Sequence, residues 1–284
     1  MSDALSTACS LGVSIVLHES PLPSLLRTLD QLGENLRIAA QAGLLAASRI
    51  TIVDNASTAT YRCSLEAALN NDAISHRLRS SRVQIHLEEG NPGFGSAHNR
   101  ANRGADEDFL LILNPDVELA AGALQEGLAY LRGHPEVAAI NPCSHRADGS
   151  REYLCKRYPA LFDLLLRGFA TTGLRRRFGP RLAHYEYRDL DDTHAAAVEL
   201  LSGACLLCRR EAFTDAGGFD EAFFLYFEDF DLSLRLARVG ALHFAPSFKI
   251  VHHGGNAASK GWKHRRWFFR SALRFYSKHG WKLR

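Results

Sequence analysis

Three acids fall within four residues at Glu228, Asp229 and Asp231, interleaved with Phe227 and Phe230. Carboxylates beside aromatic rings lose water, and desolvation raises their pKa towards that of a working base. One acid would cap the helix that DLSLRLARVG predicts, so three exceed what capping needs. Asp116 closes Asn114-Pro115-Asp116, just past the apolar run Phe109–Leu113. A carboxylate there suits a hard cation such as Mg2+ or Mn2+, although Asn-Pro-Asp is also good turn chemistry. His252-His253 follows the strand-like Phe248–Val251 and precedes Gly254-Gly255. Imidazole suits Mn2+ better than Mg2+, and neighbours on a strand face opposite ways, so one histidine of the two is placed to ligate. Asn91-Pro92-Gly93-Phe94-Gly95 is either a loop laid against a phosphate or sugar, or a tight strand-to-helix turn. These groups fit transfer from a nucleotide-activated sugar. That reaction needs charge stabilisation of a leaving diphosphate, a base beside the acceptor hydroxyl and a pocket for the nucleoside.

The elements that would position them alternate. Buried strands are predicted at Gly12–Leu17, Ile50–Val53, Val83–Leu87 and Phe109–Leu113, and helices at Pro21–Leu36 and Ala97–Gly104. Each strand ends in a polar or turn cluster, and in open parallel sheets ligands sit beyond the carboxyl ends of the strands. Leu17 to Ser20, Asp54 to Ser57, Gly90 to Gly95 and Asn114 to Asp116 should therefore line one crevice. The second half is less regular. It has a helix-like Ala160–Phe169, a strand over residues 198–208 and a short helix over Glu211–Phe219.

At 284 residues and 46% hydrophobic content the chain can bury a substantial core. MSDALSTACSLG has no basic region, and no apolar run reaches the roughly 18 residues of a membrane span, so a cytoplasmic protein is expected. The cysteines lack paired metal-ligand spacing. The one C-x-x-C, Cys205 and Cys208, sits in an apolar strand and reads as buried thiols. Residues 260–284 hold nine Lys and Arg and no acid, which leaves the rest of the chain net acidic. On a helix Lys263, Arg266, Arg270, Arg274 and Lys278 form one stripe, with Phe268, Phe269, Ala272, Leu273, Phe275 and Tyr276 on the other side. Either the helix docks on the domain with a solvated basic face, or cations and tryptophans together meet an anionic membrane surface. No nucleic-acid module accompanies the tail, so no nucleic-acid partner is expected.

In order, VSIVLHES, IVDNAST, NPGFGSAHNRA, LLILNPDV, KRYPAL, LLSGACLLCRREAFTDAGGFDEAFFLYFEDFDLSLRLARVG, VHHGGNA and FFRSALRFYSKHG resemble the family 2 inverting glycosyltransferases, above all their rhamnosyltransferase-like members. The resemblance spans roughly residues 12–280 and is most specific around FEDFDL. It implies an α/β GT-A fold, Rossmann-like, with a mixed, mainly parallel central sheet. Residues 1–118 would be a nucleotide-sugar-binding half, 119–259 an acceptor-binding and catalytic half of the same domain, and 260–284 a basic aromatic helix. Leu17, His18 and Glu19 would border the nucleobase, and Asp54 would bond the base or ribose. Asn91, Gly93 and Asn99 would lie along the donor pyrophosphate and sugar. Asp116 corresponds to the last acid of the family's D-x-D element, with Asn114 in place of the first, and would bind Mn2+ or Mg2+. His252 matches a metal-side histidine in an H-x-x-G pattern completed by Gly255; Ala257 stands where serine is frequent. Asp229 would be the general base, with Glu228 orienting it or contacting the acceptor. Arg265, off the basic stripe, would turn towards donor or acceptor and is counted with the donor-binding residues.

The implied reaction is a single displacement with inversion. It would move L-rhamnose from dTDP-L-rhamnose, or a hexose from a UDP- or GDP-sugar, to a glycan or lipid-linked glycan of a bacterial surface polysaccharide or lipopolysaccharide. A non-catalytic sugar-nucleotide or glycan-binding relative is the competing reading, and the retained Asp116, Glu228 and Asp229 argue against it. A nucleotide-sugar pyrophosphorylase would carry a Gly-rich basic loop where this chain has LHESPLPS.

Overall fold

A computed structural model describes residues 8–169, 171–254 and 261–283. Strand and helix alternate through the first half: β1 (Cys9–Leu17), α1 (Leu22–Gln41), β2 (Leu45–Asn55), α2 (Ala59–Leu69), α3 (Asp72–Leu78), β3 (Arg82–Glu88), α4 (Phe94–Ala101) and β4 (Phe109–Leu113). Then come β5 (Val117–Leu119), α5 (Ala123–Gly133), β6 (Val137–Arg146), β7 (Arg151–Glu152), α6 (Leu161–Phe169), α7 (Thr172–Arg177), α8 (Gly179–Tyr185) and β8 (Ala196–Ala197). The remainder is β9 (Cys205–Arg209), α9 (Arg210–Asp215), α10 (Glu228–Leu236), β10 (Ala241–His252) and α11 (Trp262–His279).

Among the described residues these strands form one sheet in the order β3-β2-β1-β4-β9-β6-β10-β5, with β7 beside β6 and β8 beside β10. β1 to β4 are parallel, β9 is inserted antiparallel between β4 and β6, and β10 runs parallel to β6. This is the expected mixed, mainly parallel architecture. β4, Phe109 to Leu113, is buried throughout, as a continuous apolar strand covered on both faces must be. Helix α1 starts at Pro21-Leu22-Pro23, where proline fixes the first turn. Its buried Leu25, Leu29, Leu32 and Leu36 recur at helical spacing and join the core on one face of the sheet. A second core, including Phe213, Leu232 and Leu236, fills the other face. Cys205 and Cys208 fall one in each, and burial pushes both thiols well up, so they are packing residues.

Several expected elements shift. The strand at Val83–Leu87 is not buried: β3 is an edge strand, and Val83, Ile85 and Leu87 are exposed. Only Cys205–Arg209 of the strand expected at 198–208 pairs regularly; the stretch before it makes an isolated bridge between Leu200 and Lys156. The helix after Gly93 starts at Phe94, earlier than Ala97, and the one at 211 stops at Asp215. A boundary at 118/119 falls inside β5, which pairs with β10.

Helix α11 closes the third core. Phe275 and Tyr276 are buried, Phe275 lies 5.3 Å from Phe227, and Ser271 Oγ donates to the Leu225 carbonyl at 2.8 Å. Its basic stripe is not wholly solvated. Arg274 and Lys278 reach Asp220, and Lys278 also meets Asp231 at 2.7 Å. Phe269 and Leu273, expected on the apolar side, are exposed.

Asp231 is the electrostatic bolt between α10 and α11. One oxygen accepts from Arg235 Nε at 2.9 Å, and the other from His279 Nε2 at 2.7 Å. Burial alone would raise its pKa, but Lys278, His279 and Arg235 outweigh burial and lower it. Asp231→Ala should destabilise the protein by about 3 kcal/mol, because it strands the clustered cations. A lowered carboxylate pKa contributes stability that is complete above the ordinary aspartate range and is lost as pH falls through the depressed value. Thermal unfolding should therefore show a wide gap between wild type and variant at about pH 7 and a narrow one near about pH 2.

Candidate active site

The crevice beyond the strand ends is built on tight turns. Glu19, Ala56, Tyr226 and Phe227 all take positive φ, at 52°, 56°, 70° and 65°, a strained state for residues with side chains that collects at functional sites. Leu17 is buried and in register with Asp54 on the neighbouring strand. His18 is exposed, its Nδ1 held at 2.8 Å by the Asn55 carbonyl, so its ring stands at the rim. Glu19 Oε1 accepts from the Thr58 N–H at 2.6 Å and ties this turn to the start of α2. Asp54 is buried. Its Oδ2 accepts from Arg62 Nε at 2.7 Å, while its Oδ1 has no hydrogen-bond partner among the described residues, an orphaned acceptor suited to a donor on a ligand.

The glycine-containing loop turns out differently. Asn91 Oδ1 accepts from the Gly93 N–H at 2.9 Å. Gly93 has φ 97°, and a Cβ there would collide with the Phe224 backbone. Asn99 accepts from the Phe219 N–H and donates to its carbonyl, both at 2.8 Å, and also reaches Glu221 Oε1. Gly93 and Asn99 therefore fasten this loop to the segment leading into α10. The Asn99 amide is committed there, which takes it out of the donor contacts expected of it.

Asp116 and His252 meet where β4 and β10 end. Asp116 Oδ1 lies 3.5 Å from His252 Nε2, and Glu152 Oε2 accepts from the other ring nitrogen, Nδ1, at 2.9 Å. Burial would lower the His252 pKa, but the two carboxylates raise it to about 9. With Nδ1–H donated to Glu152, Nε2 can present its lone pair beside Asp116, the carboxylate–histidine arrangement that orients a metal ligand. A separation of about 3.5 Å suits two atoms that each sit roughly 2.1 Å from one cation. Gly254 packs against the pair: a Cβ there would lie 2.7 Å from His252 Nε2 and closer still to Asp116. His253 faces the other way, to Glu118 at 2.9 Å, so His252 is the histidine of the pair at the site. Gly255 and Ala257 lie outside the described residues. A second group of ligand atoms, on Cys143, His145 and Asp192, lies within 4.8 Å, but Arg151 already neutralises Asp192 at 3.0 Å.

Glu228 and Asp229 open α10. Asp229 accepts from the Gly203 N–H at 3.1 Å and the Phe230 N–H at 2.9 Å. Glu228 is buried and its Oε2 has no hydrogen-bond partner among the described residues. Burial raises the pKa of both, and for Glu228 the adjacent Asp229 charge adds to it. The backbone donors and the buried Lys156 ammonium oppose that rise at Asp229, which makes Asp229 the stronger candidate base. Asp231, held by Arg235, Lys278 and His279, is no free base. Gly203 is the link to the cation side. Its neighbour Ala204 accepts from the Asn114 N–H at 2.9 Å, two residues before Asp116. Arg265 lines a cavity with Glu228 and Asp229, a cavity that neither Asp116 nor His252 lines. Glu152, Gly203 and Gly254 escaped the sequence reading. Gly254 alone left a trace there, as the glycine after the histidines.

The profile described as "Glycosyltransferase like family 2" matches residues 27–267. The chain is 32% identical over 184 residues to the N-acetylglucosaminyl-diphospho-decaprenol L-rhamnosyltransferase of Mycobacterium tuberculosis, covering 60% of this chain and 58% of that protein. It is 30% identical over 200 residues to the rhamnosyltransferase WbbL of Escherichia coli K12, covering 66% and 70%. The match thus spans rather more than half the length of the mycobacterial relative. Among solved structures, GalNAc-T7 with UDP, GalNAc and Mn2+ superposes with a TM-score of 0.65 at 16% identity, covering 95% of this chain and 48% of that one. The mannosyltransferase PcManGT of Pyrobaculum calidifontis with GDP-Man and Mn2+ superposes with 0.61 at 17%, covering 96% and 64%.

Gly254→Ala should push Asp116 and His252 apart. The His252 pKa, followed by NMR titration, is expected to fall from about 9 by at least about one unit, the loss of one partly buried carboxylate's attraction, with unchanged circular dichroism. An unmoved titration would mean that Asp116 does not hold the imidazolium.

Proposed function

Given that this chain belongs to the glycosyltransferase-like family 2, we propose that it is an inverting glycosyltransferase that moves L-rhamnose from a nucleoside diphosphate donor, dTDP-L-rhamnose first, to a lipid-linked glycan of a cell-surface polysaccharide. The observation that carries this is the short bridge from cation side to base side. Asn114 binds Ala204, and the adjacent Gly203 binds Asp229. Two rhamnosyltransferases among the relatives support the sugar, and the diphospho-decaprenol in one of their names supports the acceptor.

Asp229 takes the proton from the acceptor hydroxyl as that oxygen attacks the anomeric carbon, and the nucleoside diphosphate departs from the opposite face. Glu228 keeps its proton and holds the like charge off the base. Leu17, His18 and Glu19 border the nucleobase, the free oxygen of Asp54 accepts from base or ribose, and Asn91 and Asn114 lie along the diphosphate. Asp116 and His252 would hold Mn2+ or Mg2+, which would supply charge stabilisation to the leaving diphosphate. The donor set fits a cation, because two carboxylates already draw a proton to His252.

A cytoplasmic-side, membrane-surface location completes the reading. No helix among the described residues is long and apolar enough to cross a membrane. Trp262, Phe269, Leu273, Trp281 and Leu283 are exposed beside Lys263, Arg266 and Arg270. Because α11 closes a core, point changes test this better than truncation. Lys263→Gln, Arg266→Gln and Arg270→Gln together should weaken co-sedimentation with anionic vesicles by about 3 kcal/mol at low salt, roughly 1 per charge. Unchanged co-sedimentation would leave α11 a purely structural helix.

Asp116→Ala should abolish Mn2+-dependent binding in a thermal-shift screen of dTDP, UDP and GDP. Asp229→Asn should cut turnover at least about 100-fold while that binding survives. Glu228→Gln replaces a protonated acid with a neutral amide of nearly the same shape, so the acid limb of the kcat–pH profile should stay where it is. A limb that moves to lower pH would mean that Glu228 carries charge beside the base.

A further inference from the structure

Beside the carboxylate pair a cavity of about 380 Å3 opens between α6 and α11. Glu228 and Asp229 are at one end of its lining. Arg167 on α6 and Arg265 on α11 contribute the guanidinium groups, and Leu164, Phe268 and Phe269 contribute apolar wall. A pocket made for a sugar alone would be lined with hydroxyls and amides. Besides Tyr185, Tyr226 and His264, this one pairs two strong cations with leucine and phenylalanine side chains.

Neither cation is well neutralised. Arg167 has one oxygen of Glu186 at 3.4 Å and shares that carboxylate with Arg188, which holds the other oxygen at 2.6 Å. Arg265 is exposed and makes no ion pair among the described residues. A guanidinium offers a planar fork of donors matched to phosphate oxygens. On the same two helices Leu165, Phe269 and Leu273 are exposed. The groove and the helices that wall it thus bring together acids, guanidinium groups and apolar side chains, the groups that a molecule with a hydroxyl, a phosphate and a long hydrocarbon chain would meet.

We propose that the α6–α11 groove is the acceptor's lipid-phosphate subsite: Arg167 and Arg265 clamp the phosphate or diphosphate of a long-chain lipid, and Phe268, Phe269 and Leu273 guide the chain out towards the bilayer. This rests on the reading of Glu228–Asp229 as the acceptor side. It moves Arg265 from the donor to the acceptor and makes the lipid phosphate, not the sugar alone, the selected feature.

The test is calorimetric binding to the full chain without divalent metal, using farnesyl diphosphate, farnesol and inorganic pyrophosphate as probes. Farnesyl diphosphate should bind at least about tenfold tighter than either fragment, since charged hydrogen bonds and apolar contact act together. Arg167→Gln/Arg265→Gln should lose at least about tenfold for farnesyl diphosphate, the worth of its charged hydrogen bonds, and leave farnesol unchanged. Phe269→Ser should weaken both prenyl probes and spare pyrophosphate. The melting temperature of each variant, expected to match wild type, reports folding independently. The proposal is overturned if the double variant binds farnesyl diphosphate like wild type, if pyrophosphate binds as tightly as farnesyl diphosphate, or if a nucleoside diphosphate displaces the probe, which would return the arginines to the donor. No readout depends on turnover, so a failure of sugar transfer stays separate from a failure of this subsite.

Discussion

One backbone hydrogen bond, from the Asn114 N–H to the Ala204 carbonyl, sets the geometry of everything else at the site. It is the last rung of the antiparallel ladder between β4 and β9, which pairs Leu113 with Cys205. Because β9 runs against its neighbours, the residues entering it arrive at the sheet edge where the parallel strands end. Gly203 can then donate to Asp229 one residue before Ala204 accepts from Asn114. A side chain at Gly203 would press on Phe94 at 3.1 Å, so the bridge needs glycine. A parallel strand at this place would deliver its start to the far edge, and Asp229 would have no such link to Asp116.

The same region uses carboxylates in two opposite ways. Asp231 is buried and surrounded by cations, its pKa is lowered, and it joins helices. Glu228 and Asp229, a turn earlier on the same helix, are desolvated with few compensating charges, and their pKa values rise. The neighbours decide the difference: Arg235 is four residues on from Asp231, and Lys278 and His279 come from α11 on that side only. Three acids in four residues thus divide into one strut and one proton-handling pair.

Much of this was readable in the residues. The parallel strands declared themselves through continuous apolar runs closed by turns, and the crevice followed from where those runs stop. The FEDFDL cluster and Asp116 could be named from type and spacing, because buried acids between aromatics and an acid after a buried strand are chemically unusual. What stayed hidden depends on contacts distant in sequence. Glu152 behind His252 and the capture of Asn99 by Phe219 leave no local pattern. Val83–Leu87 has the composition of a buried strand, and only its place at the sheet edge exposes it. The basic stripe was legible only in part for the same reason: Asp220, which pairs with Arg274 and Lys278, lies on a different loop.

The strained turn at Tyr226 and Phe227 is held from above by α11, through Phe275 against Phe227 and Ser271 on the Leu225 carbonyl. The turn that leads into the three acids thus takes part of its packing from a helix some forty residues further along the chain. A change in α11 that loosens Phe275 or Ser271 would reach Glu228 and Asp229 without touching either, so the helix sets the stage on which the acids stand.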